Sequence, residues 1–426
     1  MVLVVFIGLL LVLFLIGMPV AFSMGFTSFV LMLMDGNIQY ANMAQRLMGG
    51  INSFVILAVP LFLLAGKLLN TGGITDRIFD FCKVCVGFLP GGMGHVNVTS
   101  SVIFSGMSGT AVSDAAGLGQ IEIKAMRDAG YGRGFSSAIT AASSTIGPII
   151  PPSLPMVIYG VAAGASVGAL FLAGVIPGLL MGVAMMLLVS YFAKKRDFPR
   201  EARPTWPVFF RALRRAFLPL LTPVIIIGGI YKGIFTPTEA AVVAVLYAFF
   251  LAGIVYRELT WKSLVQVLRE TARDSAIIGI IISMATIYGN VIMRQRIPME
   301  VLDFFTSFAD SALILLLVLN LFLLIVGAFM ETIAAITILT PIILPLLNEF
   351  GIDPVHFGII MVLNLMIGLL TPPFGIVLFV ISKIGGIGIL QLIRELIPFY
   401  LLLIAVLLII TLFPDLVLWL PKLMTS

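Results

Sequence analysis

The stretch SSTIGPIIPPSLP, Ser143–Pro155, breaks an apolar run with Gly147 and the pair Pro151–Pro152, and LMIGLLTPPFG, Leu365–Gly375, breaks a later run with Gly368 and Pro372–Pro373. Proline lacks the backbone N–H and clashes with the preceding turn, so each stretch predicts a helix interrupted midway. Sliding the chain by 221 positions lays one stretch on the other, and the match spreads outward: Gly106 falls on Gly327, Gly130 on Gly351, Gly147 on Gly368 and Pro177 on Pro398. A shift of 223 extends it upstream, bringing Ile74, Asp80 and Phe81 onto Ile297, Asp303 and Phe304. So long a period is a duplicated half, not a solenoid unit. For any single proline a mere kink in a packed membrane helix is the plainer reading, but recurrence of Pro-Pro in both halves favours a functional break.

Composition names the solvent. The chain is 60% hydrophobic and 11% charged, with a mean hydropathy of +1.17, far from the soluble norm of about 45–50% apolar and about 25% charged. Apolar stretches near bilayer length recur, as in VLVVFIGLLLVLFLIG from Val2 and YLLLIAVLLIITLF from Tyr400. The N-terminal run is read as a first helix, because it lacks a basic n-region and a small-residue cleavage site. Cys82 and Cys85 form a lone CxxC and His95 and His356 are the only histidines, so the cysteines read as incidental.

Charge orients the chain. Lys194–Arg215 holds eight basic residues against Asp197 and Glu201, so it is expected inside, as is Arg257–Arg273. The net charge of +5 is then a topology signal, and nucleic acid is not an expected partner. Lys124–Arg133 carries three basic residues, whereas its counterpart Pro345–Pro354 carries none and two acids. Opposite charge implies opposite sides, hence an inverted repeat, the plan of many secondary transporters with a site at the repeat interface. Before each break, two apolar segments flank a weak centre, SGMSG (105–109) and GAFMET (327–332). Non-helical backbone at membrane depth must be buried in protein or line a wet cavity, which favours re-entrant hairpins over kinked spans. The expected fold is therefore an all-α polytopic membrane protein, an inverted repeat with two re-entrant hairpins and two broken helices. Its expected regions are 1–50, an N-terminal scaffold helix; 51–193, the first repeat; 194–273, basic cytoplasmic loops with scaffold and connecting helices; and 274–426, the second repeat.

Four segments, GMSGTAVSDAAGLG from Gly106, IGPIIPPS from Ile146, GIFTPTEAAVVAVLYA from Gly233 and FMETIAAITILTPIILPLL from Phe329, carry a resemblance across essentially the whole chain. In that order they resemble the large membrane subunit of tripartite ATP-independent periplasmic (TRAP) transporters. The resemblance implies an elevator-type carrier of the ion transporter superfamily, in the bacterial inner membrane. It further implies Na⁺ as coupling ion, no other cofactor, a small four-helix membrane subunit, and a periplasmic substrate-binding protein delivering an organic anion such as a C4-dicarboxylate or sialic acid. The small subunit is sometimes fused at the N-terminus; this chain is expected to begin directly in the large subunit.

Asp114 is the first candidate, since a carboxylate in an apolar region costs about 2.5–3.5 kcal/mol on insertion scales and by default marks an ion or substrate path. Its alternative is a capping aspartate at a hairpin shoulder. Glu331 stands beside the second tip, although the repeat register sets it opposite Thr110. Sodium ligands are expected among Ser105, Gly106, Ser108, Gly109, Thr110, Ser144 and Gly147 in the first half, and Gly327, Thr332, Gly368 and Thr371 in the second, since carbonyls and hydroxyls are the hard oxygens an alkali cation takes. For the substrate, Arg294 gives bidentate geometry to carboxylate, with a lipid-headgroup anchor as its alternative, and Ser153 lies in the first break. Glu239 is a further buried-carboxylate candidate, or a scaffold or subunit contact.

Two other functions compete. Gly106–Gly109 spells GxSG, the motif of rhomboid-like intramembrane serine proteases, with His356 as a possible base; but the duplicate has Phe329 at the serine position, and inversion goes unexplained. A stand-alone Na⁺-coupled carboxylate carrier of related fold is the nearer rival. No GxxxxGK[ST] phosphate loop is present, so the chain is not expected to hydrolyse ATP or to be an enzyme.

Overall fold

The computed structural model describes residues 8–425 apart from 11, 15, 35–39, 72 and 307–309, and every regular element among the described residues is helical. The helix expected from Val2 thus lies partly outside the described residues. Among the described residues, seven helices are long and apolar enough to cross a bilayer, or eight if the pair Met43–Ile51 and Val55–Thr71, bent by 54°, is one span.

The N-terminal part comprises α1 (Val20–Met34), α2 (Tyr40–Ile51), α3 (Ala58–Thr71) and α4 (Ile74–Val86). The first hairpin follows. Its outgoing arm is α5 (Gly92–Ser108), and its return arm is α6 (Ala111–Ala116) and α7 (Leu118–Asp128), separated at Gly117. The first broken helix is α8 (Arg133–Ser144) and α9 (Leu154–Ala163) around the Ser143–Pro155 stretch, followed by α10 (Val167–Arg196). Helices α11 (Trp206–Tyr231), α12 (Pro237–Phe249) and α13 (Trp261–Arg294) connect the halves.

The second half repeats the order. After α14 (Ile297–Thr306), the hairpin arms are α15 (Ala312–Phe329) and α16 (Thr332–Glu349), and the broken helix is α17 (Pro354–Gly368) and α18 (Ile376–Gly385). Helices α19 (Ile389–Leu412) and α20 (Pro414–Thr425) close the chain. Both Pro-Pro peptide bonds, Pro151–Pro152 and Pro372–Pro373, are cis. Arms α15 and α16 are 18 residues each, long enough to cross by length and composition.

Packing interleaves the halves. Each outgoing arm lies on the leading half-helix of its own break, α5 on α8 and α15 on α17, while each return arm meets the trailing half-helix of the other half: α16 packs on α9, and α6 and α7 pack on α18. Both basic loops meet α4, through Lys83–Glu201 at 2.9 Å and Arg77–Glu258 at 2.7 Å, so they share one end of the molecule. Lys67 on α3 pairs with Asp274 on α13 at 2.6 Å.

Candidate functional site

Each hairpin tip is a helix end followed at once by a helix start, and the residues there explain why. Helix α5 stops at Gly109, whose φ of +66° favours glycine. Thr110 is extended and caps α6, its side chain accepting from Ser113 N at 3.2 Å. At the second tip Met330 and Glu331 are extended, and the Glu331 carboxylate caps α16 by accepting from Ala334 N at 3.1 Å. The register that sets Thr110 opposite Glu331 therefore matches cap with cap.

The tips touch the breaks. Leu154 N donates to Gly109 O at 3.3 Å, and Phe374 N donates to Ala328 O at 3.2 Å. A Cβ on Gly109 would sit 2.9 Å from Pro152 O, and one on Gly147 would sit 3.6 Å from Thr110 O. At the second tip, a Cβ on Gly368 would lie 2.4 Å from the carbonyl carbon of Gly327. Such approach of backbone to backbone is what glycine permits. The structure thus gathers Gly109, Thr110, Gly147, Pro152 and Leu154 at one junction, and Gly327, Ala328, Gly368 and Phe374 at the other.

The hydroxyls divide into two kinds. Ser105, Ser144 and Thr371 donate to carbonyls of their own helices at 2.7–2.8 Å. Ser153 caps α9 and donates to Pro148 O at 2.5 Å. Ser108 and Thr332 are buried, and neither hydroxyl has a hydrogen-bond partner. Nor do the two oxygens of Asp114, which is 1% exposed on the buried face of α6. A buried polar atom without a partner is costly, so among the candidate residues at the tips these three side chains keep polar atoms unspent, as do Thr27, Ser137, Thr222 and Ser275 elsewhere among the described residues.

Other candidates lie apart from the tips. Arg294 is exposed at the C-terminal end of α13. Glu239, expected as a buried carboxylate, is exposed and serves a capping box with Thr236 at 2.8 Å, because Thr-Pro-Thr-Glu presents the acid to the free N–H groups of a helix start. His356 is held by Ile410 O at 2.8 Å, and with Ser108 unbonded there is no Ser–His dyad. Cys82 and Cys85 are free.

Sequence reading passed over two features. Glu122, 1% exposed, was hidden in a segment taken for the hairpin's end and a basic loop; its signal was the helical face of Leu118, Gly119, Ile123 and Met126, on which it stands. Arg46 borders a cavity of about 420 Å³ with Ser53, Thr286 and Thr337, and the Asn290 amide, turned with its oxygen inward, accepts from both Nη atoms at 3.1 and 3.2 Å. A second cavity, of about 500 Å³, is bordered by Asp274 and Glu331, and a third, of about 230 Å³, lies behind the second tip.

Known proteins align along the chain. The family described as "Tripartite ATP-independent periplasmic transporter, DctM component" matches residues 7–416. A sialic acid TRAP transporter large permease protein, SiaM, of Vibrio cholerae is 46% identical over 407 residues, covering 96% of this chain and 95% of that one. A sialic acid TRAP transporter permease protein, SiaT, of Haemophilus influenzae is 42% identical over 99% of this chain and 68% of its own length. A C4-dicarboxylate TRAP transporter large permease protein, DctM, of Pseudomonas aeruginosa is 39% identical over 94% of each chain. Among solved structures, the YdaH transporter of Alcanivorax borkumensis superposes with a TM-score of 0.66 over 88% of each chain at 14% identity, a likeness of fold.

Proposed function

The chain belongs to the DctM-component family of tripartite ATP-independent periplasmic transporters, multi-pass proteins of the inner membrane, and on that premise we propose that it is the carrier subunit of a Na⁺-driven importer of an organic anion. The observation that carries this reading is the pair of tip-to-break junctions, Gly109 O to Leu154 N and Ala328 O to Phe374 N. Helix ends converging in the middle of a membrane protein offer carbonyls to a cation and amides to an anion.

One Na⁺ site is formed by the carbonyls of Gly106 and Gly109 with Ser105, Ser108, Thr110, Ser144 and Gly147, and Asp114 compensates the charge. Gly327, Thr332, Gly368 and Thr371 form a second, with Glu331 at its edge. The anion, of the sialic acid or C4-dicarboxylate type that relatives are named for, lies between the tips, with Ser153 and Arg294 on its path. A periplasmic binding protein delivers it, and a small four-helix membrane subunit flanks the carrier. The two inverted hairpin–break units move together as the elevator against the connecting helices.

The deciding experiment is uptake of labelled sialic acid and C4-dicarboxylates into proteoliposomes holding this chain, its small partner and its binding protein. Uptake should collapse when Na⁺ is replaced by choline; uptake unchanged in choline without a proton gradient refutes Na⁺ coupling, and uptake without the binding protein favours a stand-alone carrier. For the inversion, Asp128→Cys and Glu349→Cys stand at equivalent, exposed positions. Impermeant thiol reagents should label them from opposite sides, and labelling of both from one side ends that part of the reading.

A further inference from the structure

The cavity of about 420 Å³ lies between the hairpin–break units and the remaining helices, with Val157 and Thr337 of α9 and α16 on one side and Arg46 of α2 and Thr286 and Asn290 of α13 on the other. That volume is within the roughly 300–1,000 Å³ of small-molecule sites, whose usual make-up is apolar walls carrying a few placed polar groups. Val157 is four residues along α9 from Ser153, and Thr337 five along α16 from Thr332, about 6 and 7.5 Å of helix. The cavity thus continues from the tip-to-break junctions. It lies away from the basic loops, because α13 starts within the second of them and borders the cavity only from Ile282 onward.

Helix packing aims the arginine. Helix α2 packs on α13, and Gly50 permits the approach, since a Cβ there would run into Thr286 Oγ1. Residues four apart share a helix face, so with Gly50 set against Thr286, Arg46 comes opposite Asn290 one turn away. There the Asn290 oxygen accepts from both Nη atoms of Arg46, at 3.1 and 3.2 Å. The amide fixes the guanidinium at the cavity edge and, being neutral, adds no negative charge of its own. An ionisable side chain within a membrane protein by default marks an ion or substrate path, and a planar guanidinium meets a carboxylate in bidentate geometry. Thr286 and Thr337 donate to Ile282 O and Ile333 O, each at 2.9 Å, so their oxygens keep lone pairs for a hydroxylated ligand.

We propose that this cavity is a binding station for a small organic carboxylate, with Arg46 holding the carboxylate and Asn290 positioning Arg46. That the carboxylate belongs to the transported anion rests on the carrier reading above. With the basic loops inside, the station lies in the outer half of the membrane, where a delivered anion arrives first, and from it α9 and α16 lead to Ser153 and Thr332. A lipid phosphate is an anion of the same charge and oxygen chemistry, and the test separates the two.

The test is thiol modification of Ser53→Cys, at the cavity's border, in the purified chain with its small partner, read by mass spectrometry of the peptide that holds position 53. Relative to their rates with a free thiol, anionic sulfonatoethyl methanethiosulfonate should react faster than its cationic trimethylammonium analogue, and Arg46→Gln should erase that preference. N-acetylneuraminate or succinate should slow the reaction, and Arg46→Gln should raise the concentration required about 10- to 100-fold, the worth of a hydrogen bond to a charged group. Arg46→Lys should keep the reagent preference yet weaken protection, since an ammonium lacks the fork. Asn290→Asp gives Arg46 a carboxylate from within the protein, so it should fold and should abolish protection. No reaction with either reagent, protection unchanged in the Arg46 and Asn290 variants, or protection by added phosphatidylglycerol but by neither acid overturns the proposal. Uptake is read separately: protection without uptake keeps the site and sinks the carrier reading, whereas uptake without protection removes the site alone.

Discussion

The two hairpin–break units differ most in what they do with their carboxylates. Thr110 and Glu331 occupy the same position in the repeat and the same structural role, each capping the return arm of its hairpin. In the second unit the acid itself is the cap, so its charge is engaged by backbone N–H groups. In the first a hydroxyl does that work, and Asp114, four residues on, keeps both oxygens unbonded in the protein interior. Burial follows the same division: Ile146–Ser153 is buried throughout, whereas Phe374 is 61% exposed, beside Phe329 at 57%. The two units thus share the tip-to-break connection and differ in its surroundings, a buried, polar interior in one and aromatic side chains exposed at the surface in the other.

The sharpest way to break this contrast is to neutralise each acid. Asp114→Asn should reduce Na⁺-driven uptake about 100-fold, since leaving an ion uncompensated at that depth forfeits about 2.5–3.5 kcal/mol, or about two decades. Assembly with the small subunit should persist, because size is kept. Glu331→Gln should cost only about five-fold, matching the roughly 1 kcal/mol of a weakened cap. Equal losses, measured as initial uptake rates, would mean that the halves share one carboxylate chemistry.

The glycines come next. At Gly368 an added methyl meets the backbone of Gly327 at 2.4–2.6 Å, atoms that no side-chain rotation can move away. At Gly147 the nearest atom is Ser144 O at 3.2 Å. Gly368→Ala should therefore lose about 1–3 kcal/mol of stability, the usual cost of overpacking, and Gly147→Ala less than that. Thermal unfolding of the two variants in detergent compares them directly; a reversed order would contradict the tighter second junction.

Much of this contrast was legible in the sequence. Composition gave the membrane, Pro-Pro and Gly at matched positions gave the breaks, and the register already set Thr110 against Glu331; only the hydrogen bonds reveal that the shared property is capping. What stayed hidden was long-range. Nothing local tells that α16 packs on α9 or that α6 and α7 pack on α18, because apolar faces of membrane helices look alike. Glu122 was obscured by its neighbours Lys124 and Arg127, whose charges suggested a loop while the opposite face of the same helix was being buried. Glu239 erred the other way: an apolar sequence context suggested burial, and the free N–H groups of a helix start claimed it instead.

The smallest expected effect separates the two roles of Glu331, cap and charge. Glu331→Ala removes both and should cost about 1 kcal/mol of stability. Glu331→Thr installs the residue its repeat partner uses; a threonine hydroxyl accepts from the third backbone N–H as Thr110 does from Ser113 at 3.2 Å, so the unfolding free energy should stay within a few tenths of a kcal/mol of wild type. Any change in uptake by Glu331→Thr then reports charge alone. It should be no more than a few-fold in apparent Na⁺ affinity, since the second proposed site rests on the backbone of Gly327 and Gly368 and on Thr332 and Thr371. A loss as large as that of Asp114→Asn, with stability intact, would show that the second acid serves the ion as directly as the first, and the division of labour drawn from their hydrogen bonds would fail.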